Sequence, residues 1–190
     1  MNSHQIKTDN TFLKAKIDLR LAVMGHINKN AVSVLDAYSG DGVIWDGIRK
    51  LSDKKLNILR IDSKQDKKGI YLKGDNKKFL NCLKLSNYDI IDLDSYGVPF
   101  EQCKIIFRSN YKGWLICTFI QSQFGKLNKD LLLSLGYTDK MISKIPTIFN
   151  RHGMEKMMSY LYLNGIEEIV GCFFGRKNYF AFNMERGKIK

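Results

Sequence analysis

Apolar positions along the chain change period several times, and each change marks an element. Between Thr11 and His26, apolar Phe12, Leu13, Ala15, Ile17, Leu19, Leu21, Ala22 and Met24 recur among Lys14, Lys16 and Arg20. That spacing predicts an amphipathic helix with a basic side, its start capped by Asp9, Asn10 or Thr11. Val32 to Ala37 has the length of a buried strand, and Val43 to Leu51 that of a short helix. Further strands are predicted at Leu56 to Asp62, Gly69 to Asp75 and Tyr88 to Asp94, with a short helix over "KKFLNCLKL" between the last two. Pro99 suits the first turn of a helix reaching Arg108. "GWLICTFI", Gly113 to Ile120, is apolar throughout, as a parallel strand buried on both faces must be. Asn150 is placed to cap a helix through Leu163, and Gly165 to end it. "EEIVGCFFG" and "NYFAFNM" are two strands joined by "RKN", a link of hairpin length.

Strands and helices alternate, and a hairpin closes the chain. That order predicts an α/β fold, a three-layer sandwich around a mostly parallel sheet of seven strands with one antiparallel edge strand. One link is short. Only "SKQDKK" separates the second and third strands, against about ten residues or more for a crossover helix. Either this crossover has lost its helix or the strand boundaries lie elsewhere. The 190 residues read as one domain, with residues 1–30 forming a basic helix and its lead-in.

Charge adds a partner class. Lys and Arg number 31 against 19 Asp and Glu, a formal charge of +12. Such a surplus suits a polyanion, RNA or DNA, because cations that neutralise phosphates release counterions. The competing explanation is a Lys-rich background that reflects base composition alone. Cys82, Cys103, Cys117 and Cys172 form no C-x-x-C pair, and the histidines number 3. This argues against a metal site and for reduced thiols in a cytoplasmic setting. No apolar run reaches the roughly 18 residues of a membrane span, and charges interrupt the N-terminal apolar stretch as they would not in a secretory signal.

The candidate chemistry lies at the strand ends. Asp36, Asp62, Asp75 and Asp94 each close a predicted strand. In an open parallel sheet, ligands collect outside those carboxyl ends. The turn after the first strand, in "VLDAYSGDGVIWDGI", holds Gly40 and Gly42 around Asp41. A nicotinamide fingerprint would place a third glycine where Trp45 stands, and no Gly-Lys-Ser or Gly-Lys-Thr follows to make a P-loop. Carboxylates instead complement a ligand rich in donors and positive charge. S-adenosyl-L-methionine is one, with a sulfonium, an ammonium, a ribose diol and an adenine amine.

These residues resemble the class I S-adenosylmethionine-dependent methyltransferases from about Val32 to the closing hairpin. "LDAYSGDG" is similar to that superfamily's first motif, Asp62 to its second-strand acid, and Gly74-Asp75 to its third motif. "YDIIDLDSYGVPF" resembles the fourth-strand motif of tRNA guanine-N2 dimethyltransferases, Asp-Leu-Asp-Pro-Phe/Tyr-Gly-Ser-Pro, and "GWLICTF" their fifth strand. Ser95 stands where nucleic-acid amino methyltransferases usually carry proline, Val98 replaces a usual serine, and the large C-terminal RNA-binding domain of those dimethyltransferases has no counterpart. The resemblance implies a Rossmann-like methyltransferase sheet. It also implies that Asp36, Gly40 and Gly42 line the methionine part of the cofactor, and Tyr38 and Asn76 are further candidates for binding it. Asp62 would bind the ribose, Asp75 would meet the adenine amine, and Asp94 would face the methyl acceptor.

Methyl transfer is an in-line displacement, in which the protein chiefly holds the attacking atom at near-attack distance. An exocyclic base nitrogen gains positive charge as it is methylated. The expected roles are Asp94 and the Ser95 carbonyl as acceptors for its N–H, and Tyr96 as a stacking platform. Tyr96 as a plain turn aromatic is an equal alternative. Asp92 is expected to pair with a lysine, Asp41 to be a turn residue, Trp45 and Trp114 to be core, and His152 to be a surface residue. Phe119, Gln121 and Gln123 are placed to reach the pocket. No cysteine lies in the fourth-strand motif or directly after either proline, which rejects C5-methylation of a pyrimidine through a thiolate adduct. Three functions remain open: transfer to a base nitrogen of nucleic acid, a non-catalytic cofactor-binding subunit, or methylation of a protein or small molecule. Without a recognition domain, the basic N-terminal helix, "SKQDKK" and "KGDNKK", or a partner subunit or second copy, would have to recognise the substrate.

Overall fold

The computed structural model describes residues 12–64, 67, 69–121, 129–145 and 147–185. Its elements run α1 (Leu13–Gly25), β1 (Ala31–Asp36), α2 (Val43–Leu51), β2 (Lys55–Asp62), β3 (Leu72–Lys73), α3 (Asn76–Cys82), β4 (Ile90–Leu93), α4 (Phe100–Arg108), β5 (Trp114–Ile120), α5 (Lys129–Ser134), α6 (Asp139–Lys144), α7 (Ile148–Leu163), β6 (Val170–Phe174) and β7 (Lys177–Asn183). The seven strands form one sheet in the order β3-β2-β1-β4-β5-β7-β6. Strands β1 to β5 are parallel, and β7 runs antiparallel to both β5 and β6. The reversed strand therefore lies one place in from the edge, clipped there by the β6–β7 hairpin.

The short link keeps no helix among its described residues, and β3 shrinks to two residues. Two residues of pairing need no more than a loop to reach them. The caps proposed at Asp9, Asn10 and Thr11 lie outside the described residues. Helix α1 instead follows Phe12, whose φ of 61° is left-handed and whose side chain makes no cap. Asn150 caps nothing, because α7 begins two residues before it, after Thr147. The other end of α7 is as expected. Gly165, at φ 80°, donates to Tyr162 O, and Ile166 donates to Leu161 O, the paired bonds of a Schellman motif.

Alternation along the strands sorts the side chains onto two faces. Leu35, Ile91, Leu93, Leu115, Cys117, Phe180 and Phe182 join one buried cluster with residues of α4 and α7. Val32, Val34, Ile90, Ile116, Tyr179 and Ala181 join a second with Leu19, Val23 and Met24 of α1 and Trp45 and Ile48 of α2. By the same period of two, Asp36 of β1, Asp92 of β4 and Asp94 just beyond β4 project on the side of α1 and α2. The chain leaves β1 toward β2 and β3, then returns to the other side of β1 for β4. The β1/β4 boundary is thus the switch point, where a crevice opens at the carboxyl ends of the strands.

Candidate active site

Two ion pairs join α1 to the end of β4. Arg20 donates from Nε and Nη2 to the two oxygens of Asp92, each at 2.7 Å. Lys16 Nζ donates to Asp94 Oδ2 at 2.9 Å, and the Thr118 hydroxyl donates to Asp94 Oδ1. The spacing explains the match. Residues four apart on a helix rise about 6 Å, and residues two apart on a strand about 6.6 Å, so both rungs close together. Trp45 Nε1 also donates to Asp92, at 2.8 Å, and Arg20 Nη1 to Lys16 O at 2.9 Å. Arg20 and Asp92 are 0% and 1% exposed at their side chains, so this pair is wholly out of water.

This arrangement corrects two expectations. Asp92 pairs with an arginine, not a lysine. The basic side of α1 does not face outward, because Lys16 and Arg20 turn in to the sheet. Lys14 alone of the three is at the surface, paired with Asp18 at 2.6 Å. The signal in the sequence was the coincidence of the two spacings, Lys16/Arg20 and Asp92/Asp94. It reads only once the helix is known to pack against that strand.

Asp36 lies directly opposite Asp92 across the parallel pair. Burial, and then the Asp92 charge, push its carboxyl well above the usual carboxylate range, against the pull of Arg20. Burial opposes the charge of Asp94 too, but Arg20, Lys16 and the Thr118 hydroxyl outweigh it and hold that carboxyl low. Two neighbouring acids are thus driven in opposite directions, a pattern found where carboxylates serve different roles. Tyr38, largely desolvated, has its hydroxyl pushed up to about 12 and stays neutral.

A cleft of about 200 Å³ opens above these groups, lined by Asp36, Tyr38, Gly40, Asp62, Asp94 and Tyr96 among others. A second hollow of about 300 Å³ shares Tyr38 and Asp62 and adds Asp75 and Asn76. Three of the four strand-end acids therefore meet in one cleft, and Asp75 faces the adjoining one. The second oxygen of Asp62 (Oδ2) accepts from Gly40 N at 2.9 Å, and Oδ1 from Lys64 N at 2.8 Å, which ties the glycine turn to β2. Asp75 caps α3 by accepting from Lys77 N at 2.9 Å. Asn76 donates to Ala37 O at 3.0 Å and accepts from Gln102 at 2.9 Å, so it binds α3 to the end of β1. Ser39 Oγ is buried, lines the cleft and has no hydrogen-bond partner.

Gly42 does not line the cleft; it leads into α2 at φ 76°, with the Arg60 guanidinium, paired to Asp46, pressed beneath it. Ser95 is buried, and its hydroxyl donates to Thr118 O at 3.1 Å, knitting the end of β4 to β5. Tyr96 is 56% exposed at the mouth of the cleft. Asp41 lines the cleft and pairs with Lys67 at 3.4 Å. Phe119 turns away into the core against Phe149, and Gln121 is tied to Asn150 O, so neither reaches the cleft. Gln123 lies outside the described residues, as does part of "SKQDKK". Trp45 is core as expected, whereas Trp114 is only half-buried, stacked on His26 at 5.2 Å. His152 sits on the surface of α7, paired with Glu155 at 3.4 Å.

The glycine turn admits a direct test. A Cβ at Gly42 would fall 2.5 Å from Arg60 Cζ, in a left-handed backbone. Gly42→Ala is expected to lower stability by about 1 to 2 kcal/mol from the conformation alone, measured by urea unfolding.

No family model matches this chain, and no curated protein is detectably similar in sequence. Solved structures share the fold. A SAM-dependent methyltransferase from Archaeoglobus fulgidus superposes with a TM-score of 0.57 at 14% identity, over 92% of this chain and 94% of its own. A candidate S-adenosyl-L-methionine-dependent methyltransferase from Methanococcus maripaludis gives 0.52 at 16% identity, over 100% of both chains. A candidate hemolysin from Lactococcus lactis gives 0.56 at 11% identity, over 95% and 89%. The likeness shows the Rossmann-like methyltransferase fold; at such identities it shows the fold alone. Among the described residues, no helix is long and apolar enough to cross a membrane.

Proposed function

We propose that this chain is an S-adenosyl-L-methionine-dependent methyltransferase whose acceptor is a base nitrogen of RNA or DNA. The observation that carries the reading is the cleft at the β1/β4 switch point, walled by Asp36, Asp62 and Asp94 and floored by the glycine turn. The residues fit the cofactor's chemistry. Asp36 offers a carboxylate to a cation, and each oxygen of Asp62 keeps a free lone pair for a ribose hydroxyl. The unpartnered Ser39 hydroxyl is a further polar group that a ligand can satisfy. Bound there, the cofactor supplies an electrophilic methyl group on sulfur.

The chain's own contribution is to orient the acceptor. Asp94, held ionised, can accept an N–H and stabilise the charge that the nitrogen acquires. Tyr96, at the mouth, offers a ring face for a base, and a base inside a duplex would have to leave its stack to arrive there. The charge of +12 supports a polyanionic partner. With Lys16 and Arg20 turned inward, the contact falls to other cations, such as the exposed Lys73, Lys77 and Lys78 beside the Asp75 hollow.

One observation favours a second reading, a cofactor-binding subunit without catalysis. Both oxygens of Asp94 already accept hydrogen bonds, from Lys16 and Thr118. Calorimetric titration with S-adenosyl-L-methionine tests the binding common to both. Methyl-labelled cofactor offered to RNA, DNA and protein pools separates them: label in nucleic acid is expected, label in protein alone retires the acceptor, and label in none favours the subunit. Asp94→Asn is expected to abolish transfer and leave cofactor binding within about threefold, since binding rests on Asp36 and Asp62.

A further inference from the structure

The acid assigned to the acceptor nitrogen already holds a nitrogen. Lys16 Nζ lies 2.9 Å from Asp94 Oδ2, its side chain is 9% exposed, and it lines the same cleft as Asp36, Tyr38, Gly40 and Asp62. Its ammonium also sits 5.3 Å from the centre of the Tyr179 ring. From this placement we infer that Lys16 is itself a methyl acceptor, a self-modification site of the chain. The inference rests on the cleft binding S-adenosyl-L-methionine.

Three requirements of an acceptor are met by geometry: it stands in the donor's cleft, it is oriented by Asp94, and it is screened from bulk water. The step balances simply. The ammonium loses one proton to solvent at the mouth of the cleft. The nitrogen lone pair then forms the bond to the methyl carbon as the carbon–sulfur bond breaks. That bonding pair stays on sulfur, which leaves as a neutral thioether. The product, N-methyl-lysine, regains or keeps a positive charge, so the pair with Asp94 survives. A carboxylate beside an aromatic face also suits a methylated ammonium, which is recognised by cation–π attraction. Lys14, two residues away, points to solvent and pairs with Asp18 on the helix surface, so the same chemistry is not expected there.

The test uses the full chain and S-adenosyl-L-methionine carrying a trideuterated methyl group, with the sites of label read by peptide mass spectrometry. Label is expected at Lys16 and absent from Lys14. It should be lost in Lys16→Arg, which keeps the charge on Asp94. A second readout needs no turnover. Reductive methylation with ¹³C-formaldehyde gives each lysine an NMR signal, and the one missing in Lys16→Arg is that of Lys16. Adding S-adenosyl-L-homocysteine should shift that signal, because the amine faces the bound thioether. If the cofactor binds by calorimetry while Lys16 stays unlabelled, or its signal stays unmoved, the inference is overturned and the proposed function stands. If neither cofactor binds, the proposed function itself fails.

Discussion

Replacing Arg20 by Met should destabilise the protein by about 3 to 5 kcal/mol, the usual cost of removing one partner from a buried ion pair. The reason is what stays behind. Asp92 would be left buried with one side-chain hydrogen bond, from Trp45 Nε1 at 2.8 Å. Arg20 also favours the ionised form of Asp36, against its burial, and helps hold Asp94 ionised. One guanidinium thus compensates carboxylates on two strands. Removing both partners should be far milder. Arg20→Met with Asp92→Leu puts apolar groups of similar volume in place of the pair, and such exchanges are often neutral. Urea unfolding of the two single variants and the double variant gives the interaction energy directly. A double variant as unstable as Arg20→Met alone would mean that the cost does not come from the charge left unpaired on Asp92. Lys16→Met should cost less than Arg20→Met, since the Lys16–Asp94 rung lies at the cleft's edge, with Asp94 12% exposed.

The elements whose residues repeat cleanly were legible from the sequence. Helix α2 was expected over its observed span, Val43–Leu51, because two glycines and an apolar stripe fix both its start and its buried face. The apolar run of β5 announced a central strand, and Gly165 announced the end of α7. The gathering of Asp36, Asp62 and Asp94 followed from parallel order alone, since every parallel strand brings its carboxyl end to the same rim. What escaped was set by tertiary contact. That β3 keeps only two paired residues, or that Phe12 opens α1 in a left-handed conformation stacked on Phe174 at 4.3 Å, has no signal in local periodicity. The direction of the α1 cations is the main case. A helix with lysines and an arginine among apolar residues reads as a surface for polyanions, because exposed cations are the rule. Only the presence of Asp92 on the strand beneath and Asp94 just past its end makes inward pairing the cheaper arrangement.

Asp36→Asn is expected to make the ligand-free protein more stable at neutral pH and at the same time a poorer binder of S-adenosyl-L-methionine. The sign follows from the direction of the shift. Burial raises the Asp36 carboxyl in the folded state above its unfolded value, so folding favours the protonated form. The stability this contributes is fully present below the unfolded value of about 3.9 and is lost as pH rises through the folded one. At neutral pH the native protein therefore bears an acid that would ionise more easily unfolded. An amide carries no such penalty, and Tm should rise by about 2 to 4 °C for each kcal/mol recovered in a chain of this size. Asp94 behaves in the opposite sense: its carboxyl is held low, so its contribution is present above the unfolded value and disappears as pH falls. The gain from Asp36→Asn should thus vanish toward pH 4, where the native carboxyl is already protonated. Binding should move the other way. A hydrogen bond to a charged group contributes about 1.5 to 3 kcal/mol, so the variant should bind the cofactor roughly 10-fold to 100-fold more weakly. A ligand at 100 times its Kd stabilises by about 2.7 kcal/mol. With cofactor at that level, the native protein should gain about 2.7 kcal/mol and the variant only about 0.4 to 1.4 kcal/mol. The cofactor-induced rise in melting temperature should therefore be clearly smaller in the variant than in the native protein. Thermal unfolding at pH 7 and pH 4, with and without cofactor, reads all four states. A variant that melts no higher than the native protein when ligand-free would show that burial does not strain Asp36, and one that keeps its full cofactor-induced shift would show that Asp36 does not face the ligand's charge.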